Sequence, residues 1–295
     1  DDPEGCLTIK EGIKVVCDEA VSDYDNTLRK VICPSSLRQI GRSAFANSKN
    51  LCEVILNEGL EYIDAGAFMD CKNLRYVYIP STVKRIEASP FSGCDQLEKI
   101  VVSPDNPYYD SRRECNAIID TAKNMLVSGC HTTQIPDDVV EIGCIAFAST
   151  EKLEEITIPD SVKKIEWNAF KYCKNLQHVR FSKHLEYIGE GAFAYCEKLE
   201  ELDLPASVST IEFEAFNNTP WLRNKPDGMV IVGSVLYKYK PFDDDEKVEP
   251  DCIIPEGVES ISDDAFYMLE KPLRIYLPKS LKTYKAGSLR CLTKY

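Results

Sequence analysis

The sequence predicts a mainly β solenoid in which short coils of about 23 residues stack on one another. A phenylalanine recurs every 23 residues through two long stretches of the chain. Each unit also opens with the same apolar alternation, which usually ends at a proline. The recurring residues are Phe45, Phe68, Phe91, Phe147, Phe170, Phe193, Phe216 and Phe266. A fixed period of this length indicates units that bury their apolar faces only against their neighbours.

The first part of each unit predicts a short strand. One clean unit, Leu153 to Asn175, reads LEEITIPDSVKKIEWNAFKYCKN. The L-x-x-V-x-I segment alternates as a strand with one buried face does. The proline that follows cannot donate to a ladder and ends the strand. We therefore expect these strands to stack in parallel, about 4.8 Å apart, as a sheet on one face.

The rest of the unit predicts two shorter pieces. The V-x-x-I segment is expected to be a second short extended or turn segment. The A-F-x-x-C segment has apolar residues three apart, which is typical of a single helical turn. Since no single unit can enclose a core, stacking is obligatory.

Two intervals exceed the period and predict hairpin-like insertions, at about residues 103–134 and 220–252. In the first, CNAII and MLVSGC read as strands around a turn between Ala122 and Lys123. In the second, Gly233-Ser234 lies near the predicted turn. The run from Phe242 to Glu246 is expected to be a solvated loop rather than a calcium site, since it lacks the required spacing.

The predicted turn sets a register for the first hairpin. It places Cys115 opposite Cys130, Ala117 opposite Ser128, and Ile119 opposite Leu126. Opposed Cβ atoms lie about 4.5–5.5 Å apart, which is near but not at disulfide geometry. Both a disulfide and two packed thiols are open, and packed thiols are favoured.

Four cysteines share the last position of the A-F-x-x-C segment. Other units carry Ser48, Thr150, Thr219 or Leu269 at that position, which points to packing. One cysteine per coil with no nearby histidine suits tetrahedral metal binding poorly. We expect a ladder of buried thiols, formed by Cys71, Cys94, Cys173 and Cys196.

Composition excludes several functional classes. The net charge of −13 argues against binding to nucleic acid or to anionic lipid. No apolar run reaches the roughly 18 residues of a membrane span. No phosphate-binding, dinucleotide-binding or metalloprotease motif occurs, so we expect neither an enzyme nor a cofactor or metal.

The units resemble the BspA-like leucine-rich-repeat family, whose consensus is close to L-x-x-V-x-I-P-x-S-V-x-x-I-G-x-x-A-F-x-x-C. The resemblance extends from about Leu7 to about Leu292, and it departs at the ends, where Val21 and Leu289 replace the phenylalanine. It implies one right-handed leucine-rich-repeat solenoid over residues 1–295. It also implies a secreted or cell-surface bacterial protein, whose signal peptide has been removed, that acts in adhesion or protein binding.

Outward strand positions supply the candidate partner-binding residues. In neighbouring N-terminal coils they form an apolar and aromatic stripe, a composition that often marks interaction sites. The alternative is that these residue types simply suit strands. The stripe consists of Ile32, Ile55, Tyr76, Tyr78 and Val101.

The C-terminal half carries charged residues at the same outward positions. His178 and Arg180 lie beside Glu201 and Asp203, where we expect a cross-strand salt lattice. The predicted function is a monomeric, non-catalytic scaffold that binds a protein, such as a host surface or matrix protein. A glycan partner, or a role as a structural spacer in a larger surface protein, is the alternative.

Overall fold

The computed structural model describes residues 5–21, 27–241, 251–267, 269 and 274–284. Within these ranges the only α-helix is α1 (Pro220–Arg223), and a 3-10 turn spans Arg112–Glu114. In chain order the strands are β1 (Cys6–Thr8), β2 (Val15–Val16), β3 (Lys30–Ile32), β4 (Gln39–Ile40), β5 (Glu53–Ile55), β6 (Tyr62–Ile63), β7 (Tyr76–Ile79), β8 (Arg85–Ile86), β9 (Lys99–Val102), β10 (Tyr109–Asp110), β11 (Ala117–Asp120), β12 (Met125–Gly129), β13 (Glu141–Ile142), β14 (Glu155–Thr157), β15 (Lys164–Ile165), β16 (His178–Arg180), β17 (Tyr187–Ile188), β18 (Thr210–Ile211), β19 (Gly228–Val232), β20 (Val235–Lys240), β21 (Cys252–Ile253), β22 (Ser260–Ile261), β23 (Ile275–Tyr276) and β24 (Thr283–Tyr284).

The L-x-x-V-x-I segments form the first parallel face, named here the LxxVxI face. In the pairing of β3 with β5, Val31 aligns with Val54 and both are buried, while the flanking residues point outward. The prediction of parallel stacked strands is therefore confirmed. The ladder is interrupted, however, and comprises β1-β3-β5, β7-β9, β14-β16 and β21-β23.

The V-x-x-I segments form a second parallel face, named here the VxxI face. Each contributes a strand of two residues, so the segment is extended rather than a simple turn. The pairings are β2-β4-β6-β8, then β13-β15-β17-β18, and then β22-β24. The solenoid thus has parallel ladders on two sides, where the sequence predicted one.

The A-F-x-x-C segments form the predicted turns. In the turn at Phe170, the Cys173 amide donates to the Phe170 carbonyl at 3.1 Å. The Phe170 amide donates to the next coil, at the Ala192 carbonyl, over 2.7 Å. Phenylalanine rings of successive coils stack with centroids 5.0–5.6 Å apart. Each coil therefore meets the next through ring stacking and main-chain hydrogen bonds together.

The first insertion is a hairpin of β11 and β12 that lies inside the stack. Strand β12 also pairs in parallel with β13 on the VxxI face. Ile118 and Val127 pack into the core that surrounds Phe45 and Phe68, which we name the N-terminal core. Ala117, Ile119 and Leu126 pack into the core that surrounds Phe147 to Phe216, the central core. The hairpin is thus a wall between two cores and is buried on both faces.

The register of this hairpin is partly as predicted. Ile119 pairs with Leu126, and the loop is centred between Ala122 and Lys123. Ala117 pairs with Gly129 rather than Ser128, because the ladder shifts at a bulge between Ile118 and Ile119. The prediction that Ala117 faces Ser128 is therefore wrong by one residue.

The two cysteines of the first hairpin are free thiols. Cys115 belongs to the central core and Cys130 to the N-terminal core, so the hairpin separates them. The Cys115 thiol donates to the Ala117 carbonyl, and the Cys130 thiol to the Asn116 carbonyl. Of the two alternatives left open by the sequence, packed thiols are the correct one.

The second insertion is the hairpin of β19 and β20, with Gly233 and Ser234 at its turn as predicted. Its side chains also divide between cores: Tyr237 lies in the central core, and Leu236 joins the core around Phe266. The run from Phe242 to Glu246 lies outside the described residues, as does Leu289. Val21 takes the place of the phenylalanine in its coil, since its amide donates to the Ala44 carbonyl at 2.8 Å.

Candidate interaction surface

The five stripe residues project from adjacent strands of the LxxVxI face. Across the paired strands, Ile32 aligns with Ile55 and Tyr78 aligns with Val101. Tyr76 is 45% exposed, and the other four are half-buried. The stripe therefore presents one exposed tyrosine flanked by partly covered apolar side chains.

A cleft opens within the stripe where β5 and β7 do not pair. In the paired strands β14 and β16, the Ile158 amide at the end of β14 donates to the Arg180 carbonyl of β16 at 2.8 Å. The described residues form no such bond between β5 and β7. The resulting cavity of about 360 Å³, named here the Tyr cleft, is lined by Glu53, Val54, Ile55, Leu56, Asn57, Glu58, Tyr76 and Tyr78.

Charges at the edge of the Tyr cleft are modest. Lys30 and Glu53 form an ion pair of 2.9 Å across β3 and β5, and Lys99 aligns with Tyr76. Burial and then the neighbouring Tyr78 raise the pKa of Tyr76 above its usual value. The phenol of Tyr76 is therefore neutral at physiological pH and can donate a hydrogen bond to a partner.

The C-terminal half of the LxxVxI face is polar, but it lacks the predicted salt lattice. Glu155 aligns with His178, and Thr157 aligns with Arg180. Glu201 and Asp203 lie in a segment without a strand, and no ion pair joins Arg180 or His178 to a carboxylate in the described part of the chain. Because the ladder stops after β16, these carboxylates have no cross-strand position opposite the cations.

The cysteine ladder is structural, as predicted. The Cys173 thiol donates to the Phe147 carbonyl at 3.0 Å, and Cys71, Cys94 and Cys196 make the equivalent bond. Burial raises the pKa of Cys173 to about 12. Such a thiol stays protonated and is a poor nucleophile. Within the described ranges, no group of three or more His, Cys, Asp or Glu side chains is placed to hold a metal ion.

The repeat, the two parallel faces and the stacked phenylalanine turns identify a leucine-rich-repeat solenoid. The sequence matches the BspA type leucine rich repeat region over residues 6–112, 127–226 and 242–294, in six copies. The chain therefore belongs to the BspA-type leucine-rich-repeat family.

Solved structures show the same fold. A leucine rich cell surface protein from Faecalibacterium prausnitzii is 23% identical, with a TM-score of 0.59 over 86% of this chain and 62% of that one. A leucine-rich repeat protein from Eubacterium ventriosum is 19% identical, with a TM-score of 0.60 over 99% of this chain and 84% of that one. The pneumococcal vaccine antigen PcpA is 19% identical, with a TM-score of 0.62 over 92% of this chain and 66% of that one.

This chain therefore spans less than two thirds of the first and third of these proteins. A comparison with curated proteins finds no match. Among the described residues, no helix has the length and apolar character needed to cross a bilayer.

Proposed function

We propose that this chain is a non-catalytic, monomeric binding scaffold that engages another protein through the LxxVxI face at the Tyr cleft. The observation that carries the proposal is the opening between β5 and β7, which Ile55, Tyr76 and Tyr78 line. Its volume of about 360 Å³ is within the range of specific pockets. Tyrosines add contact area at low entropic cost, because they have few rotatable bonds.

The proposal includes a place at the cell surface or outside the cell. Family membership supports it, as does the description of the F. prausnitzii protein as a cell surface protein. A host surface or matrix protein is the partner class that we propose, and a glycan is the alternative. Adhesion is then the role of the solenoid, which presents the LxxVxI face as an extended surface.

The test is binding to an immobilised panel of extracellular-matrix proteins, measured by biolayer interferometry. We expect Tyr76→Ser combined with Tyr78→Ser to weaken binding to the panel member that the wild type binds. Loss of about 2 kcal/mol, or some thirtyfold in affinity, is typical for a central aromatic contact. Unchanged affinity would show that the Tyr cleft is not the site.

The matched control is Tyr62→Ser. Tyr62 lies on the VxxI face and is 37% exposed. The control variant therefore removes a similar tyrosine side chain from a different face of the solenoid. Affinity should be unchanged by this variant. A glycan array run in parallel separates the alternative: saturable glycan binding without matrix-protein binding would favour a carbohydrate-binding module.

A further inference from the structure

A second cleft lies in the C-terminal half of the LxxVxI face, directly after the first hairpin. Its volume is about 360 Å³, and it separates β14 from the segment that links β12 to β13. We name it the edge cleft. It is lined by His131, Thr133, Gln134, Ile135, Glu155, Ile156, Thr157, His178 and Arg180.

The linking segment does not form a strand beside β14, because its threonines hydrogen-bond within a turn and to the preceding elements. The Thr133 amide donates to the Cys130 carbonyl at 3.1 Å and so closes a turn. The Thr133 hydroxyl accepts from the Cys130 amide at 2.8 Å and donates to the Asn116 carbonyl at 2.7 Å. The Thr132 hydroxyl reaches back to the Glu98 carbonyl at 2.6 Å. The segment is therefore held toward β9 and the hairpin and leaves β14 without a partner on that side.

Strand β14 consequently has an open edge within the solenoid. Among the described strands it pairs with β16 alone, through Ile156 aligned with Val179. In that ladder, the His178 amide donates to the Glu154 carbonyl of the preceding coil at 3.2 Å. Glu155 holds the same place in its own coil as His178, so its amide also points to the coil before it. No described residue accepts a hydrogen bond from the amide of Glu155 or Thr157.

An unpaired strand edge is a template for another extended chain. We propose that the open edge of β14 binds an extended peptide by strand addition, with an acidic side chain of the peptide beside Arg180. This inference rests on the proposed protein-binding function but concerns a different site. The main-chain groups of Glu155 and Thr157 supply affinity without regard to sequence, and the side chains around them supply selectivity.

The choice of an acidic side chain follows from charge. Arg180 is exposed and aligns with Thr157, and it forms no ion pair with a carboxylate in the described ranges. A guanidinium pairs well with a carboxylate through two parallel hydrogen bonds. The buried Nδ1 atom of His131 at the cleft also lacks a hydrogen-bond partner. The cleft also carries the Glu155 carboxylate, which aligns with His178, so the acidic side chain of the peptide is placed at the other position, beside Thr157 and Arg180.

The probe is a fluorescein-labelled pentapeptide, Thr-Val-Asp-Val-Thr, titrated with the whole chain and followed by fluorescence anisotropy. We expect saturable binding that is weaker for Thr-Val-Lys-Val-Thr. A peptide of the same sequence with N-methylated valines should bind about tenfold more weakly or not at all, because it cannot pair along the edge.

Thr157→Pro tests the edge from the side of the protein. The amide of Thr157 is not used in the ladder with β16, and proline is tolerated at such edge positions. We expect an unchanged circular dichroism spectrum and melting temperature, with affinity for the peptide reduced about tenfold. If Thr157→Pro alters the fold, the N-methylated peptide still tests the proposal on the wild type.

Arg180→Glu tests the selectivity. We expect it to reverse the preference, so that the lysine peptide binds more tightly than the aspartate peptide. Lys164→Glu, the same charge change on the VxxI face, should leave the preference intact.

Absence of saturable binding, or equal binding of the N-methylated peptide, would overturn strand addition. An unreversed preference in Arg180→Glu would overturn the assignment of the acidic side chain. The proposed function fails separately, since it fails if Tyr76→Ser with Tyr78→Ser retains matrix-protein affinity.

Discussion

The two halves of the LxxVxI face are built from the same repeat, yet they expose different chemistry. In the N-terminal half the ladder opens between β5 and β7, and the Tyr cleft is lined by two tyrosines and three apolar side chains, with Glu53, Asn57 and Glu58 beside them. In the C-terminal half it opens beside β14, and the lining of the edge cleft is mostly polar, with two histidines, two threonines, Gln134, Glu155 and Arg180. Stacking thus requires only the inward residues to repeat, and the outward residues are free to differ from coil to coil.

The hairpin between the two halves joins their cores. Residues of β11 and β12 alternate between the N-terminal and the central core, so each core uses one side of the same wall. On the side of the phenylalanine turns the flanking coils meet directly, since the Ser92 hydroxyl donates to the Ala148 carbonyl at 2.8 Å. We therefore expect a substitution that destabilises one core to destabilise the other as well, through the hairpin that packs against both.

The largest effect is expected for Phe170→Ala. Its ring stacks on Phe147 and Phe193 with centroids 5.0 Å away on both sides. Removing it should cost about 3–5 kcal/mol of unfolding free energy, because the cavity lies between two coils. Phe68→Ala is the counterpart in the N-terminal core. Urea denaturation followed by circular dichroism measures both, and a loss below about 1 kcal/mol would contradict the role of the stack.

Gly129→Ala should break the junction between the halves. A Cβ atom at Gly129 would lie 2.2 Å from a ring carbon of Phe147, which seals the central core against the hairpin. Overpacking of this kind costs about 1–3 kcal/mol, and we expect the upper part of that range.

Lys123→Ala, at the exposed tip of the same hairpin, is the control for Gly129→Ala, with a change of under about 0.5 kcal/mol. Hydrogen exchange should show faster opening on both sides of the hairpin in Gly129→Ala. Faster opening on one side alone would contradict the coupling of the cores.

Tyr237→Phe tests how the second hairpin replaces a regular coil. The buried Tyr237 hydroxyl accepts from the Phe216 amide at 3.0 Å, where a regular coil would offer an alanine carbonyl. Without the hydroxyl that amide is left buried and unpaired, at a cost of about 1–2 kcal/mol. The measurement is the urea midpoint, and an unchanged midpoint would show that the bond contributes nothing.

The smallest effect is expected from alkaline pH, which should lower the unfolding free energy through the buried thiol of Cys173. Burial raises the pKa of Cys173 to about 12, above the value of about 8.5 for an unfolded cysteine. The folded state therefore retains a proton that the unfolded state loses. Stability from this thiol is complete below pH 8.5 and declines as pH rises toward 12.

The check is the unfolding free energy at pH 7 and at pH 9. Between pH 7 and pH 9, the unfolding free energy of Cys173→Ala should fall by about 0.8 kcal/mol less than that of the wild type. An equal loss in both proteins would mean that the Cys173 thiol does not differ between the folded and unfolded states.

The periodic part of the fold could be predicted from the sequence, and the interruptions could not. The spacing of Phe147, Phe170 and Phe193 specifies coils of equal length, because a stacked ring tolerates no shift. The opening at β14 arises from local contacts of the preceding segment, such as the turn closed by Thr133, and the opening between β5 and β7 is a local loss of ladder bonds. The bulge beside Ile119 is likewise local and shifts the register without changing the hydrophobic pattern. Outward residues such as Tyr76 could be identified from the alternation of the sequence. The cleft beside Tyr76 could not, because it depends on hydrogen bonds that do not form between β5 and β7.

The central claim is that partners bind the LxxVxI face at the Tyr cleft, and site-specific photo-crosslinking tests it most directly. p-Benzoylphenylalanine is incorporated in place of Tyr78 in one protein and in place of Tyr62 in another. Each is irradiated with the matrix protein that the wild type binds. The account predicts a covalent adduct from position 78 and none from position 62. An adduct from position 62 alone, or none from position 78 while binding persists, would contradict it.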